Sequence, residues 1–263
     1  MSNGMYFGVG GKAHKVSKVY LGVGGKARTV KKVYIGDTNG KARLAWTAGV
    51  MLGDLPVSKT IQLNEAGVPT NYIVAHQGLP SSLYDASCDG TWLLRQDIFD
   101  DLQWNEAGGN SYASSTIKNY LDSSFYDRFD PSIKSMIKQV KIPYRPGSSA
   151  SETINSGANG LSCKIFLLSG YEVGFSKNEN SYFPADGAKL DWFRSGESSL
   201  SNKRRITYRD NSATAASWWL RSPHTSSTYE SWIVQRSGER DWAGCTRSYG
   251  VRPALILPRT AII

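Results

Sequence analysis

The chain opens on a motif written three times. "MYFGVGGKAHKVSK" (5–18) is followed by "VYLGVGGKARTVKK" (19–32) and "VYIGDTNGKARLAW" (33–46), so that Tyr6, Tyr20 and Tyr34 recur every 14 residues, as do Gly8, Gly22 and Gly36. So short a period limits what this region can become. Apolar and polar residues alternate on either side of "GVGGK" or "GDTNGK", and Gly and Asn tolerate the positive φ that tight hairpin turns require. Each unit therefore reads as strand, turn, strand, with one extra residue before Lys41 in the third copy. Fourteen residues cannot bury a face alone, so three in series point to a small meander or to an element completed by stacking or self-association. The glycine runs lack the GK[ST] ending and the following helix of a phosphate loop. Lys and Arg at the strand ends read as solvated edge protection.

The same region holds most of the charge. Residues 1–46 contain seven Lys and two Arg against Asp37, a balance of +8 out of a total of +9, which leaves the remainder near +1. A basic module on a near-neutral body gives no case for a nucleic-acid partner. Cys88, Cys163 and Cys245 are odd in number and lack CxxC spacing, which fits reduced thiols better than a disulfide framework. No apolar run approaches the ~18 residues of a membrane span, and "MSNGMYFGVGGKAHK" has no signal-peptide core. Synthesis in the cytoplasm without a signal peptide, and no membrane insertion, are the expectations.

Three regions follow: repeats over 1–46, a junction over 47–69, and a main domain over 70–263. In the main domain "ASSTIKNYLDSSFYDRF" (113–129) offers Ser114 or Ser115 as N-cap and places Ile117, Tyr120, Leu121 and Phe125 on one helical face. "DPSIKSMIKQV" (130–140) begins with Asp130 and Pro131 and spaces Ile133, Met136, Ile137 and Val140 as a second core-facing helix would. Strands are predicted at 162–170, 216–222, 231–236 and 252–257. Residues 145–160 and 174–205, rich in Gly, Ser and Asn with scattered aromatics, read as long loops. The expected class is α+β: a small antiparallel sheet, two core helices and long loops, preceded by the β-repeat module.

Catalytic constellations are poorly supported. His14, His76 and His224 have no metal-ligand spacing, and no GxSxG, HExxH or SxxK pattern occurs. "FDD" (99–101) and "DASCDG" (85–90) read as turn formers. Cys245 lies between Trp242 and Arg247, a setting that can lower a thiol pKa, but no histidine neighbours it in sequence. No metal, cofactor or catalytic residue is expected.

The strings "TWLLRQDIF", "SYASSTIKNYLDSSF", "IKQVKIPYRPG", "CKIFLLSGYEVGF", "YFPADG", "SWWLRSP" and "YGVRPALILP" carry a resemblance. From about residue 70 to 258 the chain resembles a domain-of-unknown-function family of tail-associated proteins in phages and prophages of gut Firmicutes. That family ends in WWLRSP, a variable stretch, and GVRPAL. The repeats resemble N-terminal modules that accompany such domains. The two closing motifs are also similar to the C-type-lectin-like fold of the formylglycine-generating enzymes, which several targets of diversity-generating retroelements share. No catalytic cysteine pair and no Glu-Pro-Asn or Gln-Pro-Asp sugar motif is present, so neither the enzyme activity nor calcium-dependent sugar binding carries over.

The resemblance implies a C-type-lectin-like display domain in a variable receptor-binding or adhesion protein. Its implied variable surface comprises His224, Thr225, Tyr229, Glu230, Trp232, Gln235, Arg236, Glu239, Arg240, Asp241, Trp242, Cys245, Arg247 and Tyr249. Trp, Tyr, Arg, Ser and Gly are also the composition of antibody paratopes, although Trp232, in a strand with Ile233 and Val234, reads more readily as core, and Trp242, in "GERDWAGC", less so. The implied frame is Trp218, Trp219, Arg221, Pro223, Arg252 and Pro253. Trp218 and Trp219 alternate along a strand, so at most one is expected to face the core; the two arginines would pair with buried acceptors. The implied partners are a host cell-surface protein or glycan, other virion or tail proteins through the repeats, and further copies of the chain, with the virion as location. Two other readings stay open: an enzyme, related to the formylglycine-generating enzymes or acting on glycans, with loops 174–212 closing a pocket; and a structural virion component.

Overall fold

A computed structural model describes residues 6–9, 12–15, 19–30, 32–36, 42–47, 49–147, 153–194, 203–210 and 212–263. The chain divides into two compact units, one of residues 1–54 with 260–263 and one of residues 55–259.

In the first unit each repeat is a separate antiparallel hairpin. β1 (Tyr6–Val9) pairs with β2 (Lys12–Lys15), β3 (Val19–Val23) with β4 (Lys26–Val30), and β5 (Lys32–Gly36) with β6 (Ala42–Thr47). Gly24 and Gly25 join β3 to β4 with φ of 59° and 75°, the double positive φ of a two-residue type I′ turn, which explains the glycine pair. In the third copy the pairing resumes only at Gly36 and Ala42; its turn, "DTNGK", and the first copy's Gly10–Gly11 turn lie outside the described residues. Tyr20, Leu21, Val23 and Tyr34 are exposed. In the same unit Met51 bridges to Ile262, and Leu52 N–H donates to the Ala261 carbonyl at 2.9 Å.

The second unit is built on two five-stranded sheets. The first contains β7 (Thr60–Glu65), β8 (Val68–Gly78), β9 (Gly90–Arg95), β13 (Ile165–Phe166) and β18 (Ala254–Leu257), in the order β13-β18-β9-β8-β7 with every pair antiparallel. The second contains β10 (Asp101–Gln103), β14 (Trp218–Pro223), β15 (Glu230–Val234), β16 (Arg240–Gly244) and β17 (Ser248–Gly250), in the order β10-β17-β14-β15-β16. Only β14 and β17 run parallel. A small ribbon pairs β11 (Val140–Ile142) with β12 (Leu161–Cys163).

Period-two alternation builds the core. Trp92 and Leu94 of β9, Ala254 and Ile256 of β18, Trp218 and Leu220 of β14, and Trp232 and Val234 of β15 belong to one buried cluster supplied by both large sheets. The intervening residues are buried as well, since β9, β14 and β18 have no exposed position. Trp218 and Trp219 are therefore both fully buried, which corrects the expectation that only one would face a core. Trp218 donates Nε1–H to the Arg205 carbonyl and Trp219 donates to the Leu102 carbonyl, each at 2.9 Å. Gly250 has a steric reason: a Cβ there would stand 2.8 Å from the Ser217 carbonyl oxygen on the parallel neighbour.

The expected α+β, C-type-lectin-like domain with two core helices is overturned. Among the described residues strands predominate over helices, and the one substantial helical run, residues 116–128, changes pitch along its length. It is α-helical over α1 (Thr116–Tyr120), π over Leu121–Phe125 and 3-10 over Tyr126–Arg128. Ser115 caps it, accepting the Lys118 N–H at 3.2 Å, and Ile117, Leu121 and Phe125 are buried. The second expected helix shrinks to one turn, α2 (Pro131–Lys134). Ile133, Met136, Ile137 and Val140 have helical spacing, but Val140 alternates with Ile142 and joins β11, while Lys138 N–H donates to the Ile256 carbonyl at 2.9 Å. Sheet pairing has taken the end of the helix. The sheets are larger than expected because β7, β8 and β9 lie in sequence assigned to the junction or left without elements. The long-loop readings hold only single helical turns over their described parts, 3-10 at Gly157–Asn159 and Lys203–Arg205 and α3 (Asp191–Arg194); residues 148–152 and 195–202 lie outside the described residues.

Candidate functional site

The region between the two frame motifs is mostly a hairpin, not a loop. β15 and β16 pair in the register Trp232 to Trp242, through a turn in which Gln235 N–H donates to the Glu239 carbonyl at 2.7 Å and Gly238 takes φ 85°. β16 is the edge strand. Its exposed backbone donor at Trp242 is met by the Asp241 carboxylate at 2.9 Å, and the other oxygen of Asp241 accepts from Gln235 Nε2 at 2.6 Å. A carboxylate turned onto the strand's own N–H blunts an edge that would otherwise recruit another strand.

A column of rings rises from the core to this hairpin. Phe175 stacks on Phe183 at 5.5 Å, and Phe183 on Trp232 at 3.7 Å with 16° between the planes. His224 lies 5.1 Å from Trp232, and around it stand Tyr182 at 4.9 Å and Trp242 at 5.2 Å. The interior end rests on Arg205, whose guanidinium sits 4.0 Å over Phe175 and is pushed down to about 10 by burial. The outer end is open, with Tyr182 45% exposed and Trp242 43% exposed.

The surrounding chain is held by specific donors. Asn110 Nδ2 donates to the carbonyls of Ser227 at 2.7 Å, Glu230 at 2.9 Å and His224 at 3.3 Å, while its own N–H donates to the Thr228 carbonyl. The Tyr182 carbonyl accepts from Trp232 Nε1 and from the Thr225 N–H. Arg240 Nη2 donates to the Glu179 carbonyl at 3.0 Å. The aromatic face is thus pre-organised, since its rings have packing and backbone partners that fix their orientation.

The fourteen residues of the implied surface do not form one patch. Trp232, Cys245 and His224 are buried at 0%, 1% and 4% exposure, which removes them as surface contacts. Trp232 is core and Trp242 is not, which settles the two alternatives left open for them. Tyr229, Arg236, Glu239, Trp242 and Arg247 are exposed; Thr225, Glu230, Gln235, Arg240, Asp241 and Tyr249 are half-buried. Tyr249 packs against Trp219 at 5.1 Å, and Trp219 alternates with Trp218, so Tyr249 and Trp242 lie on opposite faces of the sheet. Sequence reasoning missed Tyr182, Phe183 and Phe175, whose one signal was aromatics set in a Gly, Ser and Asn-rich stretch.

Burial also decides the cysteine. Its environment pushes the Cys245 thiol up to about 12, through desolvation and then Glu230, the opposite of what a nucleophile needs. Cys88 is likewise pushed up to about 12, with burial the main cause. Among the described residues no cluster of three His, Cys, Asp or Glu side chains is placed to hold a metal, and no helix is long and apolar enough to cross a membrane.

β14, the strand beside the hairpin, is anchored in the core by Arg221. Its guanidinium donates to both oxygens of Glu172, at 2.5 and 2.7 Å, and to the carbonyls of Leu167, Pro143 and Asp186. Tyr84 donates to Glu172, and Ser222 to Asp186. Burial pushes Asp186 up to about 7, against Arg221 and the Ser222 hydroxyl, which pull it down.

The family model that matches spans residues 89–259, from the start of β9 to just beyond β18. The chain belongs to the family described as a domain of unknown function, DUF6273. No curated protein and no solved structure matches the chain. The DUF6273 match contains both frame motifs, the ring column and the β15–β16 hairpin, and excludes the repeats, β7 and β8.

Proposed function

We propose that this is a ligand-recognition protein of a phage or prophage that binds a host cell-surface protein or glycan through the aromatic face at Tyr182 and Trp242. The observation that carries the reading is the ring column: two large aromatic side chains stand nearly half exposed on a base of buried rings. Exposed Trp and Tyr on a rigid support give contact area at low entropic cost, as binding hot spots do. A charge balance of zero over 224–249, three Arg against two Glu and one Asp, leaves shape and ring contacts to dominate. The phage setting rests on the motif resemblance and on the basic repeats, which would attach the protein to other virion proteins or to its own copies.

As a target of a diversity-generating retroelement, the chain would vary at exposed positions such as Tyr229, Arg236, Glu239, Trp242 and Arg247, and stay constant at Trp218, Trp219, Trp232 and Arg221, which the core cannot spare. Two measurements test this reading. Binding of the purified chain to a panel of gut bacterial cells should be lost in the Tyr182→Ala, Trp242→Ala double variant while its unfolding midpoint moves little; equal binding by both proteins rejects the aromatic face. Sequencing many copies of the gene should show substitutions concentrated at the exposed positions. Uniform substitution over 224–249 rejects the retroelement part.

A further inference from the structure

A second built site lies away from the ring column. A pocket of about 280 Å³ is lined by Ile73 of β8, Gln96 and Asp97 after β9, Trp192 of α3, Lys203 through Arg204 and Ile206 to Tyr208, and Arg252. That is just below the roughly 300–1,000 Å³ of ordinary ligand pockets and suits a compact ligand only. Among the described residues of the lining, three are cations and one is an acid.

Arg252 is the decisive member. It is 2% exposed, its Nε donates to the Arg95 carbonyl at 2.9 Å, and its guanidinium lies 5.1 Å over the Trp218 ring. Nη1 has no hydrogen-bond partner among the described residues. Asp97 acts on Arg252 only through its charge, and burial outweighs it, pushing the guanidinium down to about 9. Asp97 is itself raised, by burial first and then by Asp210, while Arg252 and Arg95 pull it down. A buried guanidinium without a bonded carboxylate is unfavourable in the fold. Trp192 Nε1 is a second buried donor without a partner. Beside it, Arg204 stacks 4.4 Å over the Trp192 ring and donates from Nη1 to the Trp192 carbonyl at 2.7 Å. Tyr208, 42% exposed, adds an apolar wall.

We propose that this pocket binds a small oxyanion-bearing ligand, a compact organic carboxylate or phosphate, with Arg252 and Trp192 as buried donors and Arg204 and Lys203 supplying charge at the rim. Arg252 lines the pocket, and Asp97 acts on its guanidinium through charge alone, so an entering oxyanion has no bonded carboxylate to displace. Guanidinium and indole suit this task, because a planar fork matches an oxyanion and a flat ring packs the body that carries it. The site shares no residue with the aromatic face and does not depend on it.

Calorimetric titration of the whole chain at low salt with glucuronate, inorganic phosphate and glucose tests the assignment. Saturable binding of glucuronate, phosphate or both, with none of glucose, is expected, and which anion binds separates the carboxylate from the phosphate class. Arg252→Met should abolish binding, the Lys203→Gln, Arg204→Gln double variant should weaken it by about tenfold, and Trp242→Ala should leave it unchanged. Should Arg252→Met not fold, the rim variant and the glucose arm still decide. Absence of saturable binding by either anion, or wild-type affinity in the rim variant, overturns the proposal.

Discussion

Arg221 of "SWWLRSP" and Arg252 of "YGVRPAL" both precede a proline closely and both are buried, yet their surroundings differ in kind. Arg221 meets a bidentate carboxylate and three carbonyls. Burial presses its pKa down, but Glu172 beside it outweighs burial and the net direction is up. Arg252 has one carbonyl, one ring and an unmet Nη1, and burial wins. The same residue type therefore serves as a keystone where the fold supplies its acceptors, and as an open donor where it does not. Removing one partner of a paired buried ion leaves an orphan charge; removing an already orphaned charge relieves one.

The largest effect expected from this contrast is at the keystone. Arg221→Met strands Glu172 and should cost about 3–5 kcal/mol, visible as a drop of about 10 °C or more in the thermal midpoint. A cost no greater than that of Arg252→Met would break the comparison. Next, Trp232→Ala should cost about 3–5 kcal/mol in denaturant unfolding because it empties the middle of the ring column, whereas Trp242→Ala should cost no more than ~1 kcal/mol. Equal losses would mean that Trp242 belongs to the core. A third effect is pH-dependent. Folded Asp186 titrates near 7 against an ordinary 3.8, so between those values the folded chain keeps a proton that the unfolded chain has released. The stability that Asp186 contributes is then present at low pH and lost as pH rises towards 7. The midpoint of wild type relative to Asp186→Asn should fall between about pH 4.5 and pH 7.5; a constant difference would show that Asp186 is ionised throughout. The smallest effect is at the open donor, where Arg252→Met should leave the ligand-free midpoint within about 1 kcal/mol of wild type.

Strand content was legible where alternation and β-branched or aromatic residues coincided, as in "WWLRS", "SWIV" and "ALIL", and helix capping was legible at Ser115. The helix–sheet balance was not. Val140 satisfies a helical stripe and a strand alternation equally well, and only the Ile256 carbonyl waiting for the Lys138 N–H decides between them. Ile61 and Leu63 of β7 alternate with exposed Thr60, Gln62 and Asn64, a signal obscured by the turn-rich "VSKT" and "NEAG" on either side. The aromatic face was legible in part. Trp242 can be picked out from its charged neighbours, but Tyr182 joins it from about 60 residues away, through a contact that no local pattern encodes. The fate of Cys245 depends on burial at 1%, which the flanking Trp242 and Arg247 do not disclose.

The boundary of the DUF6273 match has a practical consequence. It starts at residue 89, while β9 is paired from end to end with β8, from Tyr72 opposite Arg95 to Gly78 opposite Gly90. A fragment cut at the family boundary would strip β9 of that neighbour and leave a strand that is otherwise buried at every position, with a row of unbonded N–H and C=O groups, facing water. Such a fragment should precipitate or pair with itself, whereas one beginning at Leu55 keeps the sheet closed on that side by β8 and then by β7, whose outward residues are polar.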